Sequence, residues 1–206
     1  MAGFTVTVKD RLAEGGFGVV DLVTDVVTHA EYVIKRCIIQ TKETEEAVKK
    51  EVQILQLFPE CDYFVRCLGA EYRQGKIHRE ALIMMEYYPG GHLLDRLTQR
   101  GGQHVPQKAA YKLFGQLLVA INCLHSHNPV IIHRDLKLEN VLVDATGSPR
   151  LCDFGSCVFG TVKMDSSAAR AEANAKVLKE TTPIYRAPEL VDIHMRDELT
   201  EKTDIW

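Results

Sequence analysis

The chain of 206 residues predicts an α+β fold in two lobes, a small β-rich one followed by a mainly helical one. Three observations carry this. β-branched, partly alternating segments fill the chain up to Ile39, the hydrophobic period turns helical straight after them, and helical spacing dominates again beyond "ALIMMEYYPGG". The segments "FTVTVKDRLAEGG" and "FGVVDLVTDVVTHAEYVIKRCII" are punctuated by glycine or polar turns and predict a small antiparallel sheet. In "TKETEEAVKKEVQILQLF", Val48, Val52 and Leu55 share one helical face, and Glu43, Glu45 and Glu46 crowd the positive N-terminal end. Glu51 lies on the same apolar side, so it either meets a lysine or arginine or sits at a boundary and reaches solvent. "ALIMMEYYPGG" reads as a buried strand ending in a turn, and "HLLDRLTQ" as a short helix. Over residues 109–124 the positions Leu113, Leu117, Ala120 and Leu124 repeat at helical spacing until Asn128-Pro129 stops the run, which predicts a core helix.

Composition narrows the function classes. With 46% hydrophobic and 26% charged residues the chain is ordinary globular material, and a net charge of -3 argues against a nucleic-acid footprint. No stretch approaches the ~20 apolar residues of a membrane span, and the N-terminus lacks a signal-peptide core, so the chain reads as cytoplasmic. Six scattered cysteines lack zinc spacing and read as reduced thiols. His125, His127 and His133 lie close in sequence and invite a metal reading, which is not preferred.

Two stretches carry chemistry. "LAEGGFGVV" sets Gly15, Gly16 and Gly18 between hydrophobic flanks, with Ala13 where a phosphate-cradling G-x-G-x-x-G would begin. In "VIIHRDLKLENVLVDATGSPRLCDFG", "VLV" and "RLC" are strand candidates joined by the turn-rich "DATGSP". Asn140 precedes the first strand and Asp153 follows the second, so a hairpin brings both to one end, where an oxygen from each can reach a hard cation such as Mg²⁺. Asp135 lies on the same loop, and Lys137 can neutralise a phosphate.

These motifs resemble the protein kinase family: "HRDLKLEN" its catalytic loop, "DFG" its metal-binding motif, and "APE" at 187–189 the close of its activation segment. The resemblance implies a bilobal kinase-like fold, with an N-lobe over 1–85 and hinge plus partial C-lobe over 86–206. It implies that Lys35 pairs with Glu51 and grips nucleotide phosphates, that Asp135 accepts or orients the substrate hydroxyl proton, and that Lys137 stabilises the transferring group. Asn140 and Asp153 would hold Mg²⁺. Met85 would be the gatekeeper, backbone groups of Glu86 and Tyr88 would meet adenine, and Val20 and Val33 would sandwich it. Ala13 replaces the first family glycine on a strand where ordinary dihedrals suffice. ATP and Mg²⁺ are the implied cofactors, and a protein the implied substrate.

The lysine of "DLKLEN" and Thr182 of "TTPIYRAPE" resemble serine/threonine kinases. Ala13, "CDFGS" and "TTPIYRAPELVD" together look like the Numb-associated kinase family, which includes the adaptor-associated and cyclin-G-associated kinases and acts on clathrin adaptors in endocytosis. Trafficking adaptors would then be partners. A catalytically impaired binding scaffold and a small-molecule phosphotransferase are the alternatives. "SSAARAEANAKVLKE" is read as partly helical or disordered, and Ser156, Thr161, Ser166, Ser167 and Thr181 as phosphate acceptors that Arg134 can answer. Asp204 and Trp206 match the opening of the family's central C-lobe helix, so the chain is expected to be a fragment ending where that helix begins.

Overall fold

Two compact units make up the chain in its computed structural model, one running to Pro89 and the other from Gly90 to Trp206. Residues 4–15, 18–59, 61–75 and 77–206 are described. Among them no helix is long and apolar enough to cross a membrane.

The first unit is a five-stranded antiparallel sheet with one helix. The elements run β1 (Val6–Gly15), β2 (Gly18–Asp25), β3 (Glu31–Ile39), α1 (Lys42–Leu57), β4 (Cys67–Gln74) and β5 (Arg79–Glu86), and the sheet order is β1-β2-β3-β5-β4. β-branched residues such as Val19, Val20, Val23, Val33 and Ile34 suit its pleated, partly buried surface. The strands β2 and β3 part at a turn built on Asp25, whose carboxylate accepts the N–H of Val27 (3.1 Å) and Thr28 (2.7 Å) and the Thr28 hydroxyl (2.8 Å). Thr41 caps α1, its hydroxyl accepting the Thr44 N–H at 3.2 Å, and Glu43 and Glu45 occupy the first turn. Val48, Val52, Ile54 and Leu55 are buried, and α1 packs on β3 and β4. Each such side chain contributes about 1.5–3 kcal/mol of burial.

The second unit opens with α2 (Leu93–Gln99), α3 (Gln107–His125) and β6 (Ile131–Ile132). A 3₁₀ turn at Leu138–Asn140 leads into the hairpin of β7 (Val141–Val143) and β8 (Pro149–Leu151), as the turn-rich "DATGSP" predicts. β9 (Val158–Phe159) pairs with β6. Then come β10 (Val162–Lys163), α4 (Ser167–Glu180), α5 (Pro188–Val191) and β11 (Glu198–Leu199), which pairs with β10. Leu124, Ile131, Ile132, Leu151 and Phe154 are fully buried.

Two expectations are decided here. In α3, Ala120, Ile121 and Leu124 are buried as a core helix requires, Leu113 and Leu117 are half-buried, and Tyr111, Phe114 and Leu118 are exposed among these 206 residues. The alanine-rich segment is a helix rather than disordered. Ser166 caps α4 by accepting the Ala169 N–H, Glu172 and Lys176 pair at i,i+4, and Ala173 and Val177 enter a cluster with Met164, Leu190, Ile193 and Leu199. Arg186 closes the other end, donating to the carbonyls of Thr181 (3.0 Å) and Leu178 (3.4 Å).

Candidate active site

The first unit gathers its candidate residues on one sheet face. Register pairs are Gly15 with Gly18, Ala13 with Val20, Val20 with Lys35, and Val33 with Met85. Paired residues project to the same side, and alternate residues of a strand share that side. Gly15, Gly18, Ala13, Val20, Val33, Lys35 and Met85 therefore lie on one face. Ala13 pairs with Val20 just after a register shift between Arg11 and Ala13, and it has no positive φ. Gly18 has a structural requirement of its own: its φ is 127°, and a Cβ there would lie 2.0 Å from the Arg36 carbonyl oxygen. Gly15 has open space around it. Gly16 lies outside the described residues.

The cation that Glu51 calls for is Lys35. Nζ and Oε1 are 2.6 Å apart, with side chains only 14% and 7% exposed. At the end of β5 the Glu86 N–H donates to the Arg66 carbonyl at 3.0 Å, and the Glu86 carboxylate accepts the Tyr88 hydroxyl at 3.1 Å. Tyr88 is buried, and its hydroxyl accepts the Arg66 N–H.

The second unit brings Asp135, Lys137, Asn140 and Thr182 together. Lys137 Nζ lies 2.8 Å from Asp135 Oδ2 and donates to Thr182 Oγ1 at 2.7 Å. Asp135 Oδ1 accepts the Thr182 N–H at 2.8 Å, and Asn140 Nδ2 donates to the Asp135 carbonyl at 2.9 Å. The β7–β8 hairpin sets Asp153 beside this group in the chain's path: the Cys152 N–H donates to the Asn140 carbonyl at 2.9 Å, so Asn140 and Asp153 emerge at one end. Asp153 takes a left-handed φ of 62°.

Asp204 fixes the start of the loop. Its fully buried carboxylate accepts the N–H of His133 and Arg134, both at 2.7 Å, and lies 2.9 Å from His125 Nε2. The three histidines go separate ways: His125 to Asp204, His127 to the Pro129 carbonyl, and His133 against the Phe154 ring. Among the described residues no cluster of three His, Cys, Asp or Glu can hold a metal. Burial holds the His133 pKa below the ordinary histidine value, against the pull of Asp204, Asp153 and Asp135.

Arg134, expected to answer a phosphate on the activation segment, pairs with Glu180. Thr181 is buried, its hydroxyl donating to the Val177 carbonyl and accepting from Arg186. Thr161, Ser166 and Ser167 are exposed. Glu180 is the residue that sequence reasoning passed over. Its one signal is a carboxylate standing directly before the "TTP" that contacts the catalytic loop.

A carboxylate, an ammonium and a hydroxyl locked in one hydrogen-bonded group, beside an amide and a second carboxylate, suit phosphoryl chemistry. The protein kinase domain model matches residues 6–206, and the chain belongs to that family. It is 36% identical to a Dictyostelium discoideum protein named "probable serine/threonine-protein kinase", over 95% of this chain and 18% of that one. It is also 36% identical to protein kinase domain-containing protein ppk38 of Schizosaccharomyces pombe, over 98% and 32% respectively. Actin-regulating kinase 1 of Saccharomyces cerevisiae is 30% identical over 84% and 28%. The chain thus spans 18% to 32% of the length of these relatives.

Proposed function

We propose that this domain transfers the γ-phosphate of ATP to serine or threonine hydroxyls of proteins. The observation that carries the reading is Lys137 bonded to both Asp135 and Thr182 while Asp135 takes the Thr182 N–H. A carboxylate offers about four lone-pair sites, so Asp135 keeps capacity to accept and orient a substrate hydroxyl. Lys137 supplies positive charge where the phosphoryl group would pass, and Thr182 holds its ammonium in place. Lys35, paired with Glu51, offers a second cation to the nucleotide phosphates.

The donor set fits Mg²⁺. The Asn140 NH₂ is committed to Asp135, which leaves its amide oxygen, and Asp153 adds a carboxylate; such hard oxygens are what this ion takes alongside phosphates. When bound, the ion neutralises charge on the phosphate oxygens. The residues Val20, Val33, Met85, Glu86 and Tyr88 are proposed for the adenine side, and Ala13, Gly15, Gly16 and Gly18 for the phosphates.

Ala13, "CDFGS" and "TTPIYRAPELVD" support a place among Numb-associated kinases, and with it threonines of clathrin-adaptor subunits as substrates and a cytoplasmic setting. One relative carries actin regulation in its name. The test is Mg-ATP-dependent transfer to serine and threonine peptides, adaptor subunits and a metabolite panel. Lys35→Met and Asp153→Asn should each abolish transfer in folded protein. Near-normal turnover of Asp153→Asn would refute the metal assignment, and transfer confined to metabolites would refute the protein-kinase reading.

A further inference from the structure

Arg134 immediately precedes Asp135, is buried, and holds a left-handed φ of 67°. A buried guanidinium requires a counter-charge and acceptors for its N–H groups. Both come from the segment that follows Asp153. Nη2 donates to Glu180 Oε2, and Nε donates to the Ser156 carbonyl at 2.7 Å. The Ser156 hydroxyl in turn donates to the Glu180 carbonyl. The catalytic loop, the start of the activation segment and the end of α4 therefore close into one ring of polar contacts.

Glu180 is delivered there by a helix held along its length. At the first turns, Arg170 donates to the carbonyls of Ile193 (2.6 Å), Arg196 (2.8 Å) and Met164 (3.1 Å) and to the Asp197 carboxylate (3.0 Å). In the middle, Ala173 and Val177 are buried among Met164, Leu190 and Leu199. At the far end Arg186 binds Thr181 through its hydroxyl and its carbonyl. The chain then passes straight to Thr182, which contacts Asp135 and Lys137. Three consecutive residues, 180–182, thus connect α4 to residues 134, 135 and 137.

We propose that Glu180 is a positioning residue for the phosphoryl transfer proposed above, holding Arg134 and through it residues 134–137 without a phosphate on the activation segment. A phosphate on a mobile segment would supply about -1.5 to -2 charge to such an arginine. Glu180 supplies a permanent carboxylate from a fixed helix. The two segment hydroxyls nearest the ring are already committed, Ser156 to the Glu180 carbonyl and Thr181 to the Val177 carbonyl. The exposed Ser166 caps the opposite end of α4.

The inference rests on the kinase reading, and the test separates the two. The chain is treated with phosphatase, shown by mass to carry no phosphate, and compared with its untreated form and with Glu180→Gln and Glu180→Asp. Phosphate-free wild type should keep its turnover, and Glu180→Gln should lose about ten- to a hundredfold in kcat with KM for ATP within about twofold, as expected when reacting groups are misplaced rather than removed. Glu180→Asp, which keeps the charge, should recover most of the loss. Amide hydrogen exchange over residues 133–137 is read in parallel and needs no activity; it should be faster in Glu180→Gln. A fall in turnover on phosphatase treatment that rephosphorylation restores would overturn the proposal, as would wild-type kcat in Glu180→Gln, or equal losses in the Gln and Asp variants. If folded wild type transfers no phosphate, the exchange measurement decides by itself: unchanged exchange in Glu180→Gln overturns the positioning role.

Discussion

Replacing Glu51 by alanine removes the carboxylate that Lys35 meets at 2.6 Å, in a place where the two side chains are 14% and 7% exposed. Removing one member of a buried pair costs about 3–5 kcal/mol, because the remaining charge loses its compensation in a poorly solvated place. The residual exposure of Lys35 points to the lower end, about 3 kcal/mol, which for a chain of this size corresponds to a fall in Tm of about 6–12 °C. The double variant Lys35→Met/Glu51→Leu replaces the pair with apolar side chains, and its melting should return to near the wild-type value. Phosphoryl transfer should not return with it, since no cation remains at position 35. The assay is a double-mutant cycle of Lys35→Met, Glu51→Leu and the double variant, beside Glu51→Ala, in thermal or urea unfolding, with transfer to a threonine peptide measured on each protein. Additive destabilisation in the double variant, or a Glu51→Ala protein that melts like the wild type, would refute the reasoning that burial of an ion pair holds α1 to the sheet.

Two further outcomes are expected. Gly18→Ala should be destabilised by about 1–3 kcal/mol, because a Cβ would sit 2.0 Å from the Arg36 carbonyl oxygen at a φ of 127°, whereas Gly15→Ala, with open space, should melt close to wild type; equal melting of the two would contradict the packing. Asp144, which closes the β7–β8 turn, is pushed up by burial but more strongly down by hydrogen bonds from Thr146, Ser148 and Arg150, to a pKa of about 2 from 3.8. A depressed carboxylate stabilises the fold above its unfolded pKa and loses that contribution as pH falls, here about 2 kcal/mol at neutral pH with about half gone by pH 3. The stability gap between wild type and Asp144→Asn should therefore narrow between pH 6 and pH 3; a constant gap in urea titrations would count against it.

Much of the architecture was legible in the sequence because its determinants are local. The acid-rich turn of Glu43, Glu45 and Glu46 and the spacing of Val48, Val52 and Leu55 announce α1, and "DATGSP" between two apolar triplets announces the β7–β8 hairpin, which by itself carries Asn140 and Asp153 to one end. A carboxylate on an apolar helix face likewise demands a cation, whatever the fold. The choice among distant partners was not legible, because it depends on which side chains packing brings within hydrogen-bonding distance. Arg134 finds Glu180, 46 residues away, and His125 finds Asp204, 79 residues away. Gly18 is required by the carbonyl of a neighbouring strand, a contact that exists only once β2 and β3 have paired.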